Sequence, residues 1–300
     1  MTREYIRRIP LGPLPRVLVG AVLLSFAPVL VKVADVGPTP AGFYRMGLGG
    51  VVLAAIVLVR GGAWRGAGRR YLVLCAAAGA CFAADLAFWH RSIVLVGPGL
   101  ATILANFQVF VLAAAGIVVF RERASPRLLV AIPVAIAGLF LIFGLDWGVL
   151  DTDYRWGVAF GLLTAVSYGS YLLALRQARR RAGRADAMAT VASLSLLSAV
   201  ILAGMVWLEG ETFAIPDVRN AGVLLSYAIV VQVVAWVLIS SGLPGVAASR
   251  AGLLLLLQPT LAFVWDLLLF ARPTSSVELL GAVLTLVAIY LGLTGRRQGR

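Results

Sequence analysis

Apolar stretches of about 20 residues, separated by short polar and charged links, follow one another along this whole 300-residue chain. A helix needs about 20 apolar residues to cross the hydrocarbon core of a bilayer. Ten stretches meet that length, at roughly 16–34, 41–59, 71–90, 98–120, 128–145, 156–175, 187–208, 221–241, 247–270 and 277–295. The short alternating segments of a membrane barrel are missing. The pattern predicts an all-α integral membrane protein with ten transmembrane helices. Pro28, Pro133 and Pro259 fall inside spans, where each removes a backbone hydrogen bond and favours a kink. Gly49, Gly50, Gly138 and Gly281 read as points of close helix approach.

The pattern also repeats. Gln108 and Gln258 stand 150 residues apart, each about halfway along an apolar stretch. Phe120 precedes Arg121-Glu122-Arg123-Ala124-Ser125, and Phe270 precedes Ala271-Arg272-Pro273-Thr274-Ser275. Two copies, 16–145 and 156–295, meet in the short acidic link from Asp146 to Arg155, dividing the chain into 1–150 and 151–300. Each copy holds five spans, and an odd number forces the copies into opposite orientations. Two inverted five-helix repeats around a central cavity are the signature of a secondary transporter.

Composition agrees: 61% of residues are apolar and the mean hydropathy is +0.96, where a soluble domain is about 45–50% apolar. The net charge of +13 raises the question of nucleic acid, and its distribution answers it. Alternate links, counted from the N-terminus, carry 19 basic residues, among them Arg60, Arg69, Arg70, Arg176 and Arg181. The other links carry six, including Lys32, Arg45 and Arg91, together with most of the acids, such as Asp35, Glu209 and Glu211. The positive-inside rule then puts both termini in the cytoplasm, which requires an even number of spans. The arginines therefore act as topology signals that meet membrane lipids, and no nucleic-acid partner is expected. Arg3 to Arg16 precedes a full-length span with no clear cleavage site and reads as an uncleaved anchor. Cys75 and Cys81 lie in one apolar stretch without ligand spacing, so no metal or other cofactor is expected.

A binding site at the bilayer centre needs polar groups there. Ser25 qualifies in the first span, with Lys32 seven residues on along the same face. Trp89 follows Asp85 by four in the third. Asn106 and Gln108 in the fourth are two apart, so only one faces a cavity squarely, and the repeat favours Gln108. Ser167, Tyr168 and Tyr171 serve the sixth, beside Thr164. Gln232, Trp236 and Ser240 recur every four residues in the eighth, and Gln258 sits in the ninth between Arg250 and Asp266. Glutamine amides both donate and accept, and Tyr and Trp give flat walls with a polar edge. Together they suit an amino acid or another small polar metabolite as substrate. Asp85, His90 and Asp266 are the candidates for carrying a coupling proton.

Phe88-Trp89-His90-Arg91-Ser92, then Gly97 to Gln108, then Phe120-Arg121-Glu122-Arg123, resembles the third and fourth helices of EamA-type transporters of the drug/metabolite transporter superfamily. Leu253 to Pro259, with Phe270 to Thr274 and Gly281, resembles their ninth and tenth. Ser25-Phe26 and Phe43-Tyr44-Arg45 also resemble the family. The resemblance implies an inverted five-plus-five fold with a central cavity, and export of amino acids or related metabolites. Arginine outnumbers lysine 25 to 1 and alanine is heavily used, which points to a GC-rich bacterial genome and so to the bacterial inner membrane. The resemblance also implies a glutamate after the ninth span, where Ala271-Arg272 stand instead. Its first-half counterpart Glu122 reads as a structural or gating residue at a cytoplasmic helix end.

Other functions fit less well. No zinc-binding HExxH, nucleophile elbow or His/Asp cluster marks an enzyme, and no Walker A loop marks a primary pump. A channel or lipid scramblase of similar architecture, or a drug efflux carrier, stands as the alternative to an amino-acid exporter.

Overall fold

The computed structural model describes residues 11–61, 68–122, 125–143, 152–182, 185–271 and 274–294. Every regular element among them is helical. Eight apolar helical stretches have at least 18 residues, and two shorter ones, Pro126–Ile142 and Ser276–Gly292, complete the ten spans. The elements are α1 Pro13–Leu24, α2 Ala27–Val33, α3 Pro38–Val59, α4 Arg69–Asn106, α5 Gln108–Val118, α6 Pro126–Phe143, α7 Thr152–Arg180 and α8 Ala187–Leu208. The eighth span joins α9 Val218–Ser226, a π-helical segment Tyr227–Ala235 and α10 Trp236–Gly242. The ninth joins α11 Ala248–Leu255 and α12 Leu257–Phe270, and α13 Ser276–Thr294 is the tenth.

Local chemistry sets many of these limits. Proline opens α1 and α3, where its missing N–H costs nothing. Asp186 and Asp217 cap α8 and the eighth span by accepting the Ala189 and Asn220 amides at 2.8 and 2.7 Å. Gly61 and Gly210 follow α3 and α8 in the left-handed region, with φ of 90° and 68°. The first span breaks at Ser25-Phe26, just before Pro28, and the ninth at Leu256, just before Pro259. In each case the break falls within the four residues whose hydrogen bonding the proline disturbs. Pro133 lies inside α6, which continues through it. The fourth span breaks at Phe107 without a proline.

Two large apolar clusters dominate the described residues. One unites the fourth, fifth, ninth and tenth spans around Ile103, Leu139, Leu256 and Ile289. The other unites the remaining spans with the start of the ninth and Leu112 of the fourth, around Val17, Leu53, Leu172 and Val231. Within the first of these, α6 and α13 meet at Gly138 and Gly281, where a Cβ on Gly138 would stand 2.7 Å from the Gly281 carbonyl. Large apolar side chains such as Val94, Val118, Trp207 and Tyr290 point outward, as lipid-facing residues must.

The alternating links gather at two faces as the charge pattern requires. At the arginine-rich face Arg180 donates to the Pro244 carbonyl and Arg60 reaches Met188. At the acidic face Thr39 donates to Glu209, Arg91 approaches Glu209 at 3.9 Å, and the Asp35 amide donates to Asn220. Two residues counted with the links, Lys32 and Arg45, lie inside helices α2 and α3.

Candidate functional site

A cavity of about 760 Å³ opens between the two clusters. That size suits a small metabolite. The first, second, third, fourth, sixth, eighth and ninth spans all line it. It contains three charged side chains, Lys32, Arg45 and Asp85, among mostly aromatic and aliphatic walls.

Arg45 is 5% exposed and is held firmly. Its Nε donates to Gln232 Oε1 at 2.9 Å and its Nη1 donates to the Tyr227 hydroxyl at 3.2 Å. The guanidinium also stands 5.2 Å from the ring centroids of both Phe82 and Tyr227. Gln232 is fully buried and donates in turn to Ser195 Oγ at 2.8 Å. Thus Gln232 positions Arg45 and does not itself border the cavity. Asp85 is 8% exposed. It feels the Arg45 charge, but among the described residues no ion pair joins them. A buried cation and a buried carboxylate thus face one space without neutralising each other by contact.

Aromatic rings complete the box. Phe82, Tyr168 and Trp236 line the cavity, and Tyr171 packs behind them, 4.8 Å from Phe82 and 5.0 Å from Trp236. Among the described residues Trp236 Nε1 and Gln258 Nε2 are buried with no hydrogen-bond partner. Both are donors, and leaving a buried donor unsatisfied costs about 1–3 kcal/mol. Tyr168 lies beside Gln258. Asn106 spends its amide N–H on the Thr102 carbonyl at 2.7 Å, which leaves its oxygen as an acceptor.

The EamA-like transporter family matches residues 15–144 and again 155–294. The chain belongs to this family. A solved structure described as "Crystal structure of protein" matches with a TM-score of 0.81 at 18% identity, covering 94% of this chain and 98% of that one. That likeness carries the fold. Comparison with curated protein sequences gives no match. The protein is therefore an EamA-like multi-pass transporter.

In this EamA-like chain the cavity reaches toward one end only. Lys32 and Phe270 border it near the acidic face, with Lys32 Nζ 4.1 Å from the Phe270 ring centroid. Beside them Trp265 Nε1 donates to Ser25 Oγ at 2.7 Å, and its ring stacks on Phe26 at 4.6 Å. These contacts dock α2 on α12, the two half-helices that follow the breaks. The opposite end is shut. Glu122 accepts Arg176 Nη2 at 2.6 Å and the Ala248 amide at 2.9 Å, so it caps α11 and pins it to α7. Arg176 stands 4.8 Å from the Phe120 ring centroid. The two ends are repeat mates: a basic residue near the end of the first or sixth span covers the phenylalanine that ends the ninth or fourth. Arg121 and Ala271, which follow those phenylalanines, both adopt left-handed φ, 51° and 48°. The carboxylate has no mate, since position 272 is arginine.

Ser25, Trp89, Asn106, Tyr168, Trp236, Gln258 and Asp85 of the sequence candidates border the cavity. Gln108, favoured over Asn106 on the repeat, is 1% exposed and lies away from it. After the Phe107 break α5 turns Gln108 inward with Val109 and Leu112, against α11. Tyr171, Gln232 and Ser167 sit outside the lining, Tyr171 and Gln232 directly behind it. The expected four-residue stripe of Gln232, Trp236 and Ser240 is interrupted by the π-helical segment, and of the three only Trp236 borders the cavity. His90 lies at the acidic face, its Nδ1 3.2 Å from Thr39 Oγ1. Asp266 belongs to α12, and its side chain lies outside the described residues. Arg45 was the residue missed as a site candidate. Its signal was a charge five positions into an apolar stretch.

Proposed function

We propose that this chain is a secondary active transporter that exports amino acids or related small metabolites across a bacterial inner membrane. The units 1–150 and 151–300 rock about the cavity in alternating access. The arginine-rich face and both termini are cytoplasmic, so the cavity as seen opens toward the outside.

One observation carries the substrate reading. Arg45 and Asp85 offer a fixed cation and an anion to the same small aromatic box. A zwitterion complements both, its carboxylate toward Arg45 and the unpartnered Trp236 and Gln258 donors, its ammonium toward Asp85 and the Asn106 oxygen. Charge-assisted hydrogen bonds of this kind are worth roughly 1.5–3 kcal/mol each. Of the coupling candidates, Asp85 has the placement that fits proton exchange, because substrate and proton compete for it in one space.

Counterflow into proteoliposomes tests the reading. Vesicles preloaded with unlabelled amino acids receive one labelled zwitterion, a matched amine or a matched carboxylate. Accumulation of the zwitterion above both analogues is the expected result. Equal uptake of the amine alone supports a drug efflux carrier. Non-saturable flux supports a channel or scramblase. Silence across the panel from folded protein rules out amino acids.

A further inference from the structure

We propose that a second pocket, formed by Arg69, Arg70 and Arg181 at the arginine-rich face, holds the headgroup of an acidic phospholipid. The pocket has a volume of about 560 Å³ and is bordered by those three arginines with Val73 and Leu74. It lies where the start of α4 meets the turn just after α7. Beneath it Tyr71, Cys75, Ala178, Ala182, Ala185 and Ala189 pack into a tight cluster that fixes the two helix ends against each other.

The charges here differ from the other arginines nearby. Arg60 reaches Met188, Arg176 is paired with Glu122, Arg179 donates to the Ala185 carbonyl and Thr190, and Arg180 donates to the Pro244 carbonyl. The guanidinium groups of Arg69, Arg70 and Arg181 have no hydrogen bond or ion pair among the described residues, and no carboxylate borders their pocket. Three like charges converge, and no carboxylate among the described residues borders them. A phosphodiester balances them, and guanidinium groups bind it through paired N–H donors.

The lining selects a lipid over a free anion. Val73, which borders the pocket, is 58% exposed near the start of a membrane span, and Leu72 beside it is 50% exposed, so both face acyl chains. A phosphate set among the three arginines therefore has an apolar wall directly below it, where its own chains would run. The basic side of a membrane protein meets the acidic lipid leaflet in the same geometry.

The test uses the full-length protein in detergent and reads bound lipid by native mass spectrometry. The probes are phosphatidylglycerol and phosphatidylcholine with matched chains, and inorganic phosphate as competitor. Arg70→Gln and Arg181→Gln should each weaken phosphatidylglycerol retention about fivefold, the effect of one basic residue near an anionic surface. Arg127→Gln removes the same charge outside the pocket and should leave retention unchanged. Equal loss in Arg127→Gln would mean general surface attraction and overturn the site. Equal retention of phosphatidylcholine would reduce it to an apolar groove. Full displacement by millimolar inorganic phosphate would make it a soluble-anion site. A variant that elutes as folded monodisperse protein yet keeps its lipid also overturns the proposal.

Discussion

Glu122 and Arg176 meet at 2.6 Å, and the same carboxylate accepts the first amide of α11. One side chain thus ties the end of the fourth span, in the first repeat, to two spans of the second. Arg176 is only 3% exposed, so its charge depends on that partner. Removing one member of a buried pair costs about 3–5 kcal/mol.

Glu122→Gln should therefore loosen the closed end. A single cysteine placed beside Phe120 should react faster with a membrane-impermeant maleimide from the arginine-rich side, by tenfold or more. Arg176→Gln should do the same, and the double variant should add little further. Unchanged labelling in Glu122→Gln would remove the latch.

Arg45 and Asp85 should separate the two ends of a zwitterionic substrate. Arg45→Gln should raise half-saturation for the zwitterion about tenfold or more and lose discrimination against the matched amine. Asp85→Asn should do the reverse. It should also keep counterflow while losing accumulation driven by a pH gradient. Equal damage to all three substrates in both variants would assign the pair to structure alone.

Much of this was legible in the sequence, and the boundary of what was not has a physical cause. Apolar run length marked the spans, and charge alternation marked the two faces, because both are set by the bilayer and not by packing. The Phe120 and Phe270 motifs marked equivalent span ends in the two repeats, and both are followed by a left-handed residue. Which face of a span meets the cavity was harder. Gln108 was favoured over Asn106 on the repeat, but the fourth span restarts at Phe107 and turns Gln108 away from the cavity that Asn106 borders. The stripe through Gln232 failed for a related reason: i→i+5 bonding in the π-helical segment advances the turn beyond the α-helical period. Arg45 was misplaced because a charge near a span end looks like a link residue until its partners Gln232 and Tyr227 are seen.

Helix contact gives a stability prediction. A Cβ on Gly138 would press on the Gly281 carbonyl, whereas a Cβ on Gly204 would meet nothing within 4 Å. Gly138→Ala should cost about 1–3 kcal/mol through overpacking, and Gly204→Ala should be near neutral. Thermal unfolding in detergent compares them, and equal melting temperatures would contradict the close approach of α6 and α13.

Glu211 gives a pH dependence. Its carboxyl is held above the ordinary carboxylate value, first by burial and then by the charge of Glu209. Its Oε2 is buried with no hydrogen-bond partner among the described residues. The folded state thus binds this proton more tightly than the unfolded state does. Stability must fall as pH rises from the unfolded value through the raised folded value, and the loss is complete above it. Glu211→Gln should therefore raise the melting temperature at pH 8 and change it little at pH 4. Parallel curves for the variant and the parent protein would refute this.

Among the described residues the Glu122 latch stands at one end alone, and it also fixes how the empty carrier waits. Substrate arriving at the open face meets its intrinsic affinity, but from the other face that affinity is divided by the small fraction of molecules open there. Half-saturation measured in right-side-out and inside-out vesicles should then differ widely. Detailed balance still demands one ratio of maximal rate to half-saturation in both directions when no gradient is coupled. The missing carboxylate at position 272 thus makes the molecule kinetically lopsided without giving it any power to pump.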